Sequence, residues 1–302
     1  MAIDVRAKHS HILSLELRLS GGDQLASSTG ASTTTSSTFQ DKVTKTFTPA
    51  TAGDYLIVAM CQLEHASVST RIECQLLVDG VVYSKMRHDP RVATEVLPWV
   101  SVLGAIDGET LGEFDATSHT VKIQFRSVGG VTTSTISNAH ILILRLDTFK
   151  NFYYQESLGR ATTTNAAYQT KLTNAPTLAN SGNHLIFAGC HIDGTAGSGR
   201  FTAGQITAGG TQVVESLHFP TNSVGADDAA LALYRMENLS SGASATNTWK
   251  IDIKKGGSGV GGVGVEHSAI CVIELAEPVT EKTVFLGRLA GMSATVLAHT
   301  SQ

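Results

Sequence analysis

The chain is written twice. Sliding residues 33–61 by 129 positions lays them on residues 162–190 without a gap, and 13 of the 29 positions are identical. The matches include Thr33/Thr162, Thr34/Thr163, Gln40/Gln169, Lys42/Lys171, Gly53/Gly182, Leu56/Leu185 and Cys61/Cys190. A period of this size is that of a whole domain, not of a solenoid repeat. Any fold for this sequence therefore has to serve twice.

The same offset returns later in the unit. Residues 140–146 lie over 269–275, Arg71 over Arg200, Cys74 over Ala203 and Gly80 over Gly209. Residues 120–123 lie over 248–251, at an offset of 128. Register is lost between about residues 82 and 118, as expected where surface loops differ. A third trace opens the chain: residues 11–17, with His11, Ile12, Leu13, Leu15 and Leu17, precede 140–146 by 129 positions. After the second copy, Leu286-Gly287-Arg288 echoes Leu158-Gly159-Arg160. The expected division is an N-terminal arm carrying one strand (1–30), a first domain (31–148), a linker (149–161), a second domain (162–276) and a C-terminal arm (277–302). The arms are expected to clamp neighbouring molecules, with His11, Ile12, Leu13, Leu15 and Leu17 as the strand that adds to a sheet edge.

Composition narrows the class. Only 16% of residues are charged against 42% hydrophobic, with 29 glycines and many Ser and Thr, which suits a turn-rich all-β protein and not a helical bundle. The net charge of −4 comes with no basic patch, so no nucleic-acid partner is expected. The densest basic cluster, residues 85–91, contains an acid and a proline and reads as a solvated loop. Cys61 and Cys190 share one position in two copies, while Cys74 and Cys271 have no cysteine counterpart. All four therefore read as reduced core residues, as in a cytoplasm. The first residues lack a signal-peptide pattern and no apolar run is long enough to span a bilayer, so neither secretion nor a membrane partner is expected.

Strand signals fill each unit. One strand is expected near residues 33–47, then a turn over 49–54, then a central strand over 55–61 that is apolar on both faces. Asp79-Gly80 between apolar runs is a hairpin signal. Val121, Ile123 and Phe125 alternate with polar residues, and residues 141–146 close the unit. About eight strands per unit imply an all-β fold of two tandem jelly-roll β-sandwich domains.

The stretch from Thr46 to Val58, with Phe47, Pro49, Gly53 and Tyr55, resembles the opening of C1q/TNF-like jelly rolls. Leu77-Val78-Asp79-Gly80 is similar to their hairpin. The second unit departs from this pattern, with Pro176 in place of Phe47 and His184 in place of Tyr55. The tandem, Thr/Ser-rich style also resembles virion proteins of tailed bacteriophages, where such domains decorate heads or build fibres and tails. That resemblance implies a structural protein located in the virion. Its expected partners are copies of itself, as a trimer, and other virion proteins.

Chemistry is sparse. Residues 257–262 match G-x-G-x-x-G, but no helix follows, so the nucleotide reading fails. The equivalent residues 128–131 read as a plain hairpin loop. His9 with His11, and His184 with His191, lack a carboxylate and third ligand at a recognisable spacing. Asp227-Asp228 reads as the start of a loop, and Asp107 with Glu109 as a solvated turn, although paired carboxylates could serve a glycosidase. Trp249 is expected in the core. Trp99 reads as buried; exposed, it would stack on a sugar ring. The alternative function is a carbohydrate- or receptor-binding module that uses the variable loops over 84–118 and 215–228, with a host surface glycan as partner. No catalytic residue, cofactor or metal site is expected, and the chain is read as no enzyme.

Overall fold

The computed structural model describes residues 22–67, 70–88, 93–130, 132–194, 200–218, 227–257 and 262–275. The expected assembly strand with His11, Ile12, Leu13, Leu15 and Leu17, and the arm 277–302, lie outside the described residues. The fold is all-β, built of antiparallel sheets that stack as sandwiches. Unit 1 has nine strands: β1 (Gln24–Ser28), β2 (Ser32–Thr34), β3 (Gln40–Phe47), β4 (Tyr55–His65), β5 (Arg71–Val78), β6 (Val81–His88), β7 (Val96–Ala105), β8 (His119–Val128) and β9 (Ser134–Arg145). One sheet runs β1-β9-β4-β7, with β2 also on β9, and the other runs β3-β8-β5-β6.

Unit 2 repeats this strand for strand. Its strands are β10 (Asn151–Ser157), β11 (Ala161–Thr163), β12 (Gln169–Asn174), β13 (Thr177–Leu178), β14 (Gly182–Gly194), β15 (Arg200–Ala208), β16 (Thr211–His218), β17 (Asp227–Leu239), β18 (Gly242–Ala243), β19 (Trp249–Gly257) and β20 (Val263–Glu274). Its sheets run β10-β20-β14-β17, with β11 on β20, and β12-β19-β15-β16. The small β13–β18 pair is an addition; unit 1 has a single bridge between Gly53 and Phe114 in its connections.

The residues common to both copies do architectural work. Gln40 donates to the carbonyls of Thr38 and Phe39, and Gln169 to those of Ala167 and Tyr168. Lys42 donates to the Gly30 carbonyl and Lys171 to the Gly159 carbonyl. Thr34 Oγ1 accepts from Ser36 N, and Thr163 Oγ1 from Asn165 N, each at 3.0 Å. These side-chain bonds explain why the single strand expected over 33–47 is two. Hydroxyls that bond the nearby backbone compete with sheet pairing and turn the chain, so β2 lies in one sheet and β3 in the other.

Several other expectations are corrected. The linker expected over 149–161 holds β10, paired along its length with β20, and the end of the arm expected over 1–30 holds β1, which pairs with β9 as part of the first sheet. The connection after β8 is no hairpin loop, because β8 and β9 lie in different sheets. Lys85 and Arg87 lie in strand β6, beside the Glu73 carboxylate at 3.1 and 2.8 Å. The expected hairpin is present, with Asp79 and Gly80 both at positive φ. Its partner in unit 2 turns at Gly209-Gly210. The backbone bond Asp79 N to Thr120 O, 2.8 Å, recurs as Gly209 N to Thr248 O, 2.9 Å. Thus Gly80 corresponds to Gly210 and Cys74 to Gly204, one residue from the sequence alignment.

Each sandwich has its own core. Ile57, Cys61, Ile72, Leu76, Trp99 and Phe125 lie in the first, and Ile186, Cys190, Ile206, Trp249 and Ile251 in the second. A third apolar layer joins the units. Leu56, Val58, Val102 and Leu144 of unit 1 pack against Leu185, Phe187, Cys271 and Ile273 of unit 2. This layer explains why β4 is apolar on both faces. Tyr55, Ile57 and Ala59 face their own sandwich, while Leu56 and Val58 face the other unit. The result is four sheets stacked through three apolar layers.

Candidate functional site

The seam between the units is where the side chains do most. It is centred on β7, the edge strand of its sheet, whose outward backbone groups are an open template for pairing. Unit 2 closes that edge with side chains. Tyr154 of β10 accepts from Gly104 N at 2.8 Å and donates to Glu156 Oε2 at 2.7 Å, while Glu156 Oε1 accepts from Thr110 N at 3.1 Å. His191 of β14 donates through Nε2 to the Val100 carbonyl at 3.1 Å. Two glycines permit the approach. A Cβ on Gly104 would stand 2.7 Å from the Tyr154 ring, and one on Gly189 3.2 Å from Val102.

One end of the seam gathers polar groups. His191 is fully buried and lies opposite Glu266 of β20. His267 follows, in a left-handed backbone at φ 49°, and its ring centroid is 5.3 Å from that of His191. One ligand atom from each of His191, Glu266 and His267 lies within 4.8 Å of the others. Burial, with the neighbouring His267 second, pushes the His191 pKa down to about 3. Burial also lowers that of His267 and raises that of Glu266. The cations nearby are engaged: Arg160 pairs with Asp193 through Nε at 2.5 Å, and Lys171 holds the Gly159 carbonyl.

Apart from His191, which the sequence pairs with His184, the residues singled out by sequence fall elsewhere. Trp99 and Trp249 are both fully buried, so Trp99 offers no face to a sugar. Asp227 and Asp228 do not open a loop; they begin β17, opposite Gly194 and Asp193. Asp107 and Glu109 lie in the connection after β7, where Asp107 N donates to Asp54 Oδ1 at 2.9 Å. Four residues of the glycine-rich match, 258–261, lie outside the described residues, as does His9. His184 is buried and its Nδ1 is 2.9 Å from the Gly182 carbonyl. It stands apart from His191, seven residues along β14. The four cysteines are buried free thiols, with Cys61 and Cys74 Sγ atoms 3.7 Å apart. No spacing motif marks His191, Glu266 and His267, because strand pairing and a bulge bring them together. Only the adjacency of Glu266 and His267 was visible.

No family model matches the sequence, and no curated protein matches it. Among solved structures, the chain is similar to the infectious bursal disease virus VP2 subviral particle at 7% identity and a TM-score of 0.29, covering 84% of this chain and 71% of that one. It is similar to the tandem CBM22-1–CBM22-2 domains of Paenibacillus barcinonensis Xyn10C at 8% identity and a TM-score of 0.22, covering 83% and 93%. A triple jelly-roll protein of an archaeal virus turret matches at 10% identity and a TM-score of 0.22, covering 85% and 60%. Likenesses this distant assign neither family nor function. Among the described residues, no helix is long and apolar enough to cross a membrane.

Proposed function

We propose that the chain is a non-enzymatic structural protein of a bacteriophage virion, a decoration, head-fibre or tail-associated block. In this reading it assembles as a homo-oligomer, a trimer, and with other virion proteins. The observation that carries the proposal is the seam. Two copies of one sandwich are fused sheet to sheet, with an edge strand sealed by the other copy's side chains. The residues the copies share stabilise turns and strand crossings, which is what a building block needs from a duplication. Outward faces and the terminal arms are then left for neighbours. Strand β1 supports the role of the arms, since an N-terminal segment already completes a sheet edge beside β9.

The test is light scattering and negative-stain imaging of the full chain and of a chain lacking residues 1–20. That cut removes His11, Ile12, Leu13, Leu15 and Leu17 and leaves β1 in place. The full chain is expected to form a defined oligomer at micromolar concentration, and the shortened chain a smaller one. A full chain that stays monomeric, alone and with its virion partners, overturns the proposal.

A further inference from the structure

The two units carry the same backbone irregularity and fill it with different chemistry. In unit 1, β4 and β9 lose register between Met60 and Gln62; in unit 2, β14 and β20 do so between Gly189 and His191. The bulged residue of the closing strand is left-handed in both, Asn138 at φ 48° and His267 at φ 49°. In unit 1 the two side chains satisfy each other: Asn138 Nδ2 donates to Gln62 Oε1 at 2.6 Å. In unit 2 the same positions hold His191 and His267, and a carboxylate, Glu266, takes the place of Ser137.

The imidazoles do not bond each other. His191 Nε2 faces the Val100 carbonyl, which only accepts, so Nε2 carries the proton and Nδ1 the lone pair. His267 has a backbone hydrogen bond to Tyr83 that raises its basicity, as a carbonyl acceptor does. The Nδ1 atoms of both rings are buried without a hydrogen-bond partner among the described residues. A buried polar atom left unsatisfied is costly, and with the two ring centroids 5.3 Å apart and Glu266 Oε1 3.9 Å from His267 Nε2, the three side chains are placed to share one common partner. Nitrogens fixed through the opposite ring N–H on a backbone carbonyl are the usual arrangement of metal-binding histidines. Two imidazoles and a carboxylate are a borderline N/O donor set, suited to Zn²⁺ and its neighbours and not to Ca²⁺ or Mg²⁺.

We infer that His191, Glu266 and His267 bind a divalent transition-metal ion, of the Zn²⁺ class, at the seam between the units. All three ligands come from unit 2, while the carbonyls that orient the rings, Tyr83 and Val100, come from unit 1. The ion therefore strengthens the contact between units, whether or not the chain assembles on a virion.

The test is calorimetric titration of the untagged, chelator-treated full chain with zinc sulfate, with melting followed in parallel. The expected result is one Zn²⁺ per chain and a higher melting temperature with the metal. The double variant His191→Gln/His267→Asn recreates the amide pair of unit 1; it is expected to fold and to lose the site. Glu266→Gln provides a second variant should the first not fold, and is expected to weaken Zn²⁺ binding about tenfold or more, as loss of a metal-supporting group does. Absence of stoichiometric binding to the parent chain overturns the inference. So does binding that survives unchanged in the folded variants, which would place the metal on other histidines.

Discussion

Lys42 and Lys171 hold equivalent positions and do the same thing; Gln62 and His191 hold equivalent positions and do not. Each lysine ties down a carbonyl twelve residues upstream, within its own unit. Gln62, half-buried, bonds the exposed Asn138 within unit 1, whereas His191 is buried against β7 of the other unit. A residue is retained where its work is internal to the sandwich. It diverges where the two copies meet different surroundings: His191 and His267 of β14 and β20 meet β7 and β6 across the seam, whereas Gln62 and Asn138 bond each other.

The comparison can be broken at the seam first. Phe187 is 1% exposed in the apolar layer between the units, edge-on at 5.3 Å to Tyr234 of its own sheet. Phe187→Asp buries an unpaired charge there and is expected to cost about 5 kcal/mol, near the top of the range for single substitutions. Urea denaturation measures this. A loss below about 1 kcal/mol would mean that the seam opens freely.

Acid reaches unit 1 through His88, 3% exposed at the end of β6. Burial, against a backbone bond to Glu95 and beside His65, lowers its pKa to about 4. The folded state thus holds it neutral while the unfolded chain protonates near 6.5. Its contribution is complete above pH 6.5 and is lost as pH falls from 6.5 to 4, up to about 3 kcal/mol. Denaturation at pH 7 and pH 5 should show a smaller difference in His88→Leu than in the parent. An equal difference would assign the acid sensitivity to other groups.

The smallest effect sharpens the shared half of the comparison. Lys171→Met removes one charged hydrogen bond to a carbonyl, and Lys42→Met removes its equivalent together with a bond to Ser32 Oγ at 3.0 Å; each carbonyl bond is expected to be worth about 1.5–3 kcal/mol. In a Ser32→Ala background the two losses should agree within about 0.5 kcal/mol if the lysines are equivalent. A clear inequality would show that one unit leans on its clamp more than the other.

Much of this architecture was legible because strand and turn chemistry is local. The hairpin at Asp79-Gly80 and the doubly apolar β4 follow from neighbouring residues. Strand β10 is obscured in the sequence because the repeated Leu-Gly-Arg marks 149–161 as a linker, while Phe152, Tyr153 and Tyr154 become a strand only through their pairing with β20. Cys74 corresponds to Gly204 and not to Ala203 because hairpin β15–β16 is displaced by one residue, a shift carried by the pairing partners and not by the sequence alignment. The polar cluster at the seam was hidden for a stronger reason. His191 meets Glu266 through antiparallel register and His267 through a bulge, and neither leaves a fixed spacing in the chain.

The central claim is that two copies of one sandwich form a single block. Each unit carries one fully buried tryptophan, Trp99 in unit 1 and Trp249 in unit 2. Replacing either by Phe leaves the other as the fluorescence reporter of its own unit. Urea unfolding of the full chain followed by tryptophan emission should give coincident midpoints for Trp99→Phe and Trp249→Phe, each matched by that variant's own circular dichroism. Two separated emission transitions, each accounting for only part of the circular dichroism change, would contradict it.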